Sequence, residues 1–509
     1  MQQRTHHQHL KLHLSLSQQW WTMSIIISLL LLLNSGDALA ASRPNIGRGE
    51  AFAAATSMSA AQIRDDELAR VRSLDREARG ADGKLNQLTV AEHLRRANVY
   101  MTNRAFAEAR AHWLVLLERY PADPNVPAAL YGIGRAHFQE RGYEQSLPYF
   151  ERLTREFAQT KEGREGLYSL ASALLRLGRA AEAAARYREY TETYPQGERV
   201  ESAYLNVIDT LREAGQPQQA LEWVTRTRER FPGTVTDTNA VFARVRLDIA
   251  GNDWTHAIKT IDELRRMSLS KGVMTSTEEL AYLKAYSLEQ AGRTQEAIAA
   301  YLMLNERADS YHGWLATERL LAIKEAAKRP EVAARVTRAN VEISRAANLY
   351  PAPYREVIVR EAMKRNVDPR LLLAIMRQES NFRERAKSPA AARGLLQLVV
   401  DTASKYARRA GINNLQDEDL YQPAVSIRIG SEYMAELQRL FPNLPEAVIA
   451  SYNGGEDNVA RWLKRSGRSD GGILASEVGF TETKGYVFVV MANYRAYQQL
   501  YTKDLRPKR

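Results

Sequence analysis

The feature that most restricts this 509-residue chain is a fixed step of 37 residues. Tyr120, Phe157, Tyr194 and Phe231 each close a similar segment (ERYP, REFA, ETYP, ERFP), and each is 37 residues after the last. Eleven residues before each aromatic stands a small residue: Ala109, Ser146, Ala183 and Ala220. Ala257 continues that series by 37, and Ala297 follows after 40. Turn signals at Gly142, Gly178, Gly215 and Gly292 precede the small residues. Apolar residues recur at helical spacing, as in Leu130, Ile133 and Phe138, then Leu167, Leu170 and Leu174. The unit is therefore helix–turn–helix. The small residue lets two helices approach, and the aromatic closes the second helix against the next unit. One unit cannot bury its apolar face alone, so about six units over residues 90–305 are predicted to stack into a solenoid.

This pattern resembles a tetratricopeptide array, whose unit is about 34 residues. The longer step predicts slightly longer helices or turns. Glu- and Arg-rich faces read as solvated surface, and the aromatic stripe as core.

Composition narrows the chemistry. The apolar share of 45% and charged share of 26% are those of a folded chain. With no cysteine, disulfides, thiolate metal sites, a cysteine nucleophile and a lipid-bearing cysteine are excluded. The net charge is +11, and residues 351–509 carry +7 of it, with 25 Lys and Arg against 18 Asp and Glu. Such a balance favours anionic partners without selecting nucleic acid over another polyanion. No paired-histidine helix motif, phosphate loop or dinucleotide fingerprint is present. Neither metal nor cofactor is expected.

Residues 1–24 carry Arg4 and Lys11 and no acid. An apolar run, IIISLLLLL at 25–33, leads to Ala38-Leu39-Ala40. Basic start, short apolar middle and A-x-A site are the parts of a secretory signal peptide. The run is too short for a membrane span, which takes about 20 helical residues. Residues 1–40 are read as that leader. His6, His7 and His9 fall within it and are not read as a metal tract. The expected location is the periplasm.

The remaining boundaries are 41–88, an N-terminal helical or linker segment; 89–325, the repeats; 326–351, a linker helix; 352–502, a second helical domain; and 503–509, a basic tail. The two prolines of YPAPY, at 350–354, interrupt any helix and suggest a hinge. Beyond it Asp368-Pro369 is an N-cap with proline at the first helical position. That helix ends near Glu379. Further helices are predicted after GLLQL, over 423–440, from Pro445 to SYNGG, and over 481–501. No strand-period segment is convincing, so the chain reads as all-α.

Glu379 alone means little, because a glutamate at a helix end is ordinarily a solvated charge. Its surroundings change that. RQESNF at 377–382 is followed by AKSPAAARGLLQL at 386–398 and DTA at 401–403. IRIGSEYM at 427–434, ASYNGGEDNVARW at 450–462 and ETKGYV at 482–487 come next. In order and spacing these motifs resemble the soluble lytic transglycosylase family, with its lysozyme-like α-helical catalytic domain. YHGWLA at 311–316 resembles the segment before that domain in the larger members, which also carry helical solenoids.

The resemblance implies cleavage of the β-1,4 bond between N-acetylmuramic acid and N-acetylglucosamine in peptidoglycan, leaving a 1,6-anhydromuramoyl end without water. Glu379 would protonate the leaving oxygen. As carboxylate it would then take the proton of the muramoyl C6 hydroxyl, which attacks C1 of its own sugar. An intramolecular nucleophile replaces the second carboxylate of ordinary glycosidases. Such an acid must be protonated near neutral pH, so an apolar site is expected around it. By motif position, Ser380 is implied to orient the carboxyl or an acetamido group. Ser388 and Gln397 are implied to face the cleft or sugar. Tyr452 is implied to lie near the carboxyl, Asn453 to be a structural hydrogen-bonder, and Glu482 to bind sugar or stem peptide. The family often has Gly at Ala391, Met-Pro at Val399-Val400 and Asn at Ser426. Two other readings stay open. One is a lysozyme-type hydrolase with Glu482, Asp401 or Glu456 as second carboxylate. The other is a scaffold that binds glycan or proteins through the repeats.

Overall fold

The computed structural model describes residues 60–80 and 83–508. The leader at 1–40 and residues 41–59 of the segment after it lie outside the described residues. Helix α1 (Ala60–Glu77) precedes six helix pairs. They are α2 (Val90–Thr102) with α3 (Phe106–Arg119), α4 (Val126–Gln139) with α5 (Tyr143–Glu156), and α6 (Lys161–Arg176) with α7 (Ala180–Thr193). Then come α8 (Val200–Glu213) with α9 (Pro217–Arg230), α10 (Val235–Ala250) with α11 (Trp254–Leu264), and α12 (Thr277–Gln290) with α13 (Thr294–Leu302). Successive helices pack antiparallel through short turns. Ala109, Ser146, Ala183, Ala220, Ala257 and Ala297 are all fully buried, one per pair, where the two helices meet. The fit is tight: a side chain at Gly132 would run into the Trp113 indole, and one at Gly134 into the Phe150 ring.

The recurring aromatics are the residues at which the second helices end. Tyr120, Phe157, Tyr194 and Phe231 share a φ between −126° and −131°. The two tyrosines bond backwards: the Tyr194 hydroxyl donates to the Ala158 carbonyl at 3.0 Å, and that of Tyr120 to the Leu88 carbonyl at 2.8 Å. They lock their own pairs to the preceding connection, while the Phe231 ring packs on Tyr204 of its own pair at 5.1 Å.

After the repeats, α14 (Tyr311–Ala322), the short α15 (Lys324–Ala327) and α16 (Pro330–Arg345) lead to the second helical region. This holds α17 (Arg355–Met363), α18 (Pro369–Ser380), α19 (Val400–Ala407) and α20 (Pro423–Leu440). It continues with α21 (Pro445–Gly454), α22 (Glu456–Ser466), α23 (Gly471–Glu477) and α24 (Thr481–Leu500). The chain is all-α; among the described residues only isolated bridges pair strand-fashion, such as Lys387 with Arg393. No described helix is long and apolar enough to cross a membrane. Helix α18 starts as its residues dictate: Asp368 accepts from the Arg370 N–H at 2.9 Å, and Pro369 occupies a first-turn position with no N–H to lose. Its apolar stripe, Leu372, Ile375 and Met376, is fully buried, packed against α24.

Segment 350–354 breaks the helix but is no free hinge. The Tyr501 hydroxyl donates to the Tyr350 carbonyl at 2.8 Å and that of Tyr497 to the Pro351 carbonyl at 2.9 Å. The Arg377 guanidinium covers the Tyr350 ring at 4.5 Å. YHGWLA is likewise docked: Tyr311 stacks on Phe488 of α24 at 5.1 Å and donates to Glu446 at 3.2 Å.

The solenoid and the second region meet through a buried ionic cluster. Arg212 on α8 pairs with Glu477 at the end of α23 through both guanidinium nitrogens. Arg246 on α10 reaches the same carboxylate at 3.4 Å. From the other side, Arg465 on α22 lies 3.2 Å from each of Asp209, Glu213 and Glu477. Arg461 pairs with Glu213 at 3.2 Å. Burial opposes ionisation of Asp209 and Glu477, but the surrounding arginines win and hold both carboxyls below the usual range. Taking out one charge would leave its partners buried and uncompensated, which costs about 3–5 kcal/mol. Glu477→Gln is therefore expected to lower unfolding stability by about that amount. Urea denaturation followed by circular dichroism checks this, and a loss below 1 kcal/mol (about the value of an exposed pair) would refute it.

Candidate active site

Glu379 is the penultimate residue of α18. The helix stops hard: Asn381 and Phe382 both have left-handed backbones, with φ of 46° and 62°. Two such non-glycine residues in succession store strain of the kind found beside functional groups. Burial pushes the Glu379 carboxyl up to about 7; a hydrogen bond from Tyr486 pulls down, and the charge of Glu482 pushes up. The Tyr486 hydroxyl donates to Oε1 at 2.7 Å. In the protonated acid Oε1 is thus the accepting oxygen and Oε2 bears the proton. Burial, and then Glu379 itself, hold the Tyr486 and Tyr452 phenols well above their usual range. Both stay neutral donors.

Tyr486 lies within ETKGYV, and motif position alone does not mark it. Helical phase does: on α24 it lies one turn after Glu482, on the face towards α18. Tyr452, on α21, has Glu379 within electrostatic reach, but its hydroxyl donates to the Leu396 carbonyl at 2.7 Å. It braces the loop beside the carboxyl, and the direct bond belongs to Tyr486. Behind Tyr452 lie Tyr433 and then Tyr406, with ring centroids 5.3 and 5.1 Å apart.

The loop at 386–399 forms one wall. Gly394, φ 76°, sits so close to the Leu420 carbonyl that no side chain fits. The Arg393 side chain is buried and donates to the Ala391 carbonyl at 2.9 Å and to Asp417 at 3.1 Å. Ser380 is buried, and its hydroxyl donates to the Leu395 carbonyl at 2.8 Å and the Met376 carbonyl at 3.2 Å. It ties α18 to this loop. Ser388, partly buried, accepts from the Ala392 N–H at 3.1 Å and closes a turn. Gln397, φ 45°, donates its amide to the Ala386 and Gly394 carbonyls at 3.0 and 2.9 Å, which leaves Oε1 as the free end. Asn453 is exposed and accepts from the Thr483 hydroxyl at 2.6 Å, linking α21 to α24. Glu482 is exposed one turn before Tyr486. Among the described residues no group of His, Asp or Glu is placed to hold a metal.

Ala391 has φ 60°, the conformation that favours glycine. Ser426 is buried and accepts from the Leu396 N–H at 3.4 Å. Val399 is the N-cap of α19 and makes no side-chain cap bond.

Comparison with known proteins matches residues 356–473 to the transglycosylase SLT domain. Residues 94–159 and 131–198 match the tetratricopeptide repeat. The soluble lytic murein transglycosylases of Salmonella typhimurium and Escherichia coli K12 are 33% and 32% identical over 150 and 157 residues. Those stretches are 29% and 30% of this chain and 23% and 24% of the relatives. The chain thus spans about a quarter of the length of the curated relatives it matches. Among solved structures, the 70 kDa soluble lytic transglycosylase of Escherichia coli aligns with a TM-score of 0.45, at 18% identity over 86% of each chain. The chain combines tetratricopeptide repeats with an SLT transglycosylase domain.

Two stability predictions follow from the site's strain. The folded Glu379 carboxyl ionises near 7 against 4.5 unfolded, so native stability is intact below pH 4.5 and falls as pH rises towards 7. Glu379→Gln removes that penalty, and its stability relative to wild type should rise by up to about 3 kcal/mol between these limits. A pH-independent difference in urea midpoints would contradict it. Ala391→Gly should stabilise by about 0.5–1 kcal/mol, because a methyl group is strained at this φ; thermal unfolding reads it.

Proposed function

We propose that the chain is an exported peptidoglycan lytic transglycosylase with Glu379 as its single acid and base. One observation carries this: a partly buried carboxyl pushed up to about 7 at the end of a helix within the SLT match. The likeness in sequence to soluble lytic murein transglycosylases supports the substrate class. The reaction is cleavage of the muramoyl–glucosaminyl β-1,4 bond to a 1,6-anhydromuramoyl end. Near neutral pH a good share of Glu379 holds a proton on Oε2, ready for the leaving oxygen. The carboxylate then formed is stabilised by Tyr486 and accepts the proton of the attacking C6 hydroxyl. Gln397 Oε1, Asn453 and Glu482 are assigned to the glycan or its stem peptides, with Ser380, Ser388 and Tyr452 holding the walls. The leader-like pattern of residues 1–40, with its basic start, short apolar run and A-x-A site, supports export and action in the periplasm.

A lysozyme-type hydrolase needs a second carboxylate to activate water. Asp401 and Glu456 are engaged by Arg104 and Arg141, each at 2.7 Å. Glu482 alone stays open, and its charge is felt at Glu379, so this reading is tested alongside. Digestion of purified sacculi followed by mass spectrometry decides. Anhydro ends are expected, and reducing ends would assign the hydrolase. Binding without any release would leave a scaffold.

Glu379→Gln should keep sacculus binding and lose turnover by about 100-fold or more, the scale of general acid–base catalysis. Wild-type turnover would remove Glu379 from its role. Activity should fall as pH rises through about 7. Tyr486→Phe removes the bond that lowers this value, so the alkaline limb should move upward; a downward shift would refute the assignment.

A further inference from the structure

In each helix pair one residue turns the chain from the first helix into the second, and it has a left-handed backbone. These residues are Arg104, Arg141, Gly178, Gly215, Asn252 and Gly292, with φ between 59° and 76°. They recur at the same steps as the small residues. Glycine and asparagine adopt this conformation readily, whereas an arginine there is strained. The space that a side chain would enter is open at Gly178, Gly215 and Gly292, so the fold itself does not ask for arginine.

Both arginines reach across to the catalytic region. Arg104 donates to Asp401 Oδ2 through Nη2 at 2.7 Å and Nε at 3.1 Å. Arg141 grips Glu456 with both nitrogens, at 2.7 and 2.9 Å, and has Asp457 at 3.3 Å. Lys405 stands 3.8 Å from Glu456, so the two grips are neighbours. Each lands where a wall of the site begins. Asp401 lies in the first turn of α19, directly after the loop bearing Ser388, Gln397 and Val399. Glu456 opens α22, just after Tyr452 and Asn453. Each pair is half-exposed: Arg104 is 19% and Asp401 42% exposed, Arg141 46% and Glu456 13%. The same left-handed turn is made by glycine or asparagine in the other four pairs, so turning the chain does not require arginine. A side chain held in a strained backbone that the turn does not require is found where it serves function.

We propose that Arg104 and Arg141 are positioning residues. They clamp the first two helix pairs of the solenoid onto the two lips of the cleft and so hold the sugar-facing groups in place for a glycan strand. This rests on the function proposed above. Neither arginine takes part in proton transfer, so the clamp acts on binding and leaves Glu379 unchanged.

The test uses the full chain with Arg104→Gly, Arg141→Gly and both together. Glycine suits the backbone, so the melting temperature should hold or rise. On sacculus glycan the double variant should raise KM about fivefold while kcat and the alkaline pH midpoint stay as in wild type. Because the chain has no cysteine, Gln139→Cys and Ser404→Cys take spin labels uniquely. The distance between them should be narrow in wild type and broaden in the double variant. An unchanged KM, or kcat and melting temperature falling together, overturns the proposal. If wild type releases no glycan, the functional reading fails. The label distances still judge the clamp, and an unchanged distribution in the double variant overturns it.

Discussion

The buried arginine–carboxylate cluster between α8, α10, α22 and α23 is the contact on which the architecture depends. Its members come from both halves of the chain, so no half can satisfy it alone. Arg465 reaches Asp209 and Glu213 on the solenoid and Glu477 on its own side. Separating the two regions would break the bonds of Glu477 to Arg212 and Arg246 and of Glu213 and Asp209 to Arg465, and buried charge is tolerated only when it is paired. The solenoid is thereby a fixed part of the frame around the site. Lys484, two residues before Tyr486, extends the same logic: it is buried and held by Glu279 of α12 at 3.0 Å and by the Met274 carbonyl at 2.8 Å. The repeats thus help to set the start of α24.

That matters because the acid–base role proposed for Glu379 falls between α18 and α24. Glu379 is raised by burial and tempered by one phenol from the facing helix. A carboxyl with no donor would stay protonated and serve only as an acid. One with several donors would stay ionised and serve only as a base. A single neutral phenol leaves the group near its midpoint at neutral pH, the state that the proposed role as both acid and base requires. The strained stop at Asn381 and Phe382 ends α18 at this point, and Ser380 fastens that end to the loop opposite.

Much of this was legible in the residues. The 37-residue step marked the helix pairs, because one small residue per pair is what close helix packing requires. Asp368-Pro369 marked the start of α18, because a cap and a proline act on the backbone locally. Pro423, Pro445 and Thr481 marked helix starts for similar local reasons. Helices α22 and α23 lie where the residues alone give no helix signal. Helix α23 has only seven residues, too few to show a helical period, and α22 sends Arg461 and Arg465 from its inner face into the ion cluster, where a local reading expects apolar residues. YPAPY broke the helix as its prolines require, but the ring contacts that pin it come from Tyr497 and Tyr501, far along the chain.

The sequence by itself determined the repeat, the helical class, and the ordered motifs around Glu379. These are local patterns of size, polarity and backbone preference, readable one segment at a time. Only the tertiary structure decided which phenol meets the carboxyl: motif position implies Tyr452, and the packing of α24 on α18 brings Tyr486 there instead. It also decided that Asp401 and Glu456 are held by the repeats. Distances between residues some 300 positions apart depend on how whole helices pack, and no local pattern encodes them.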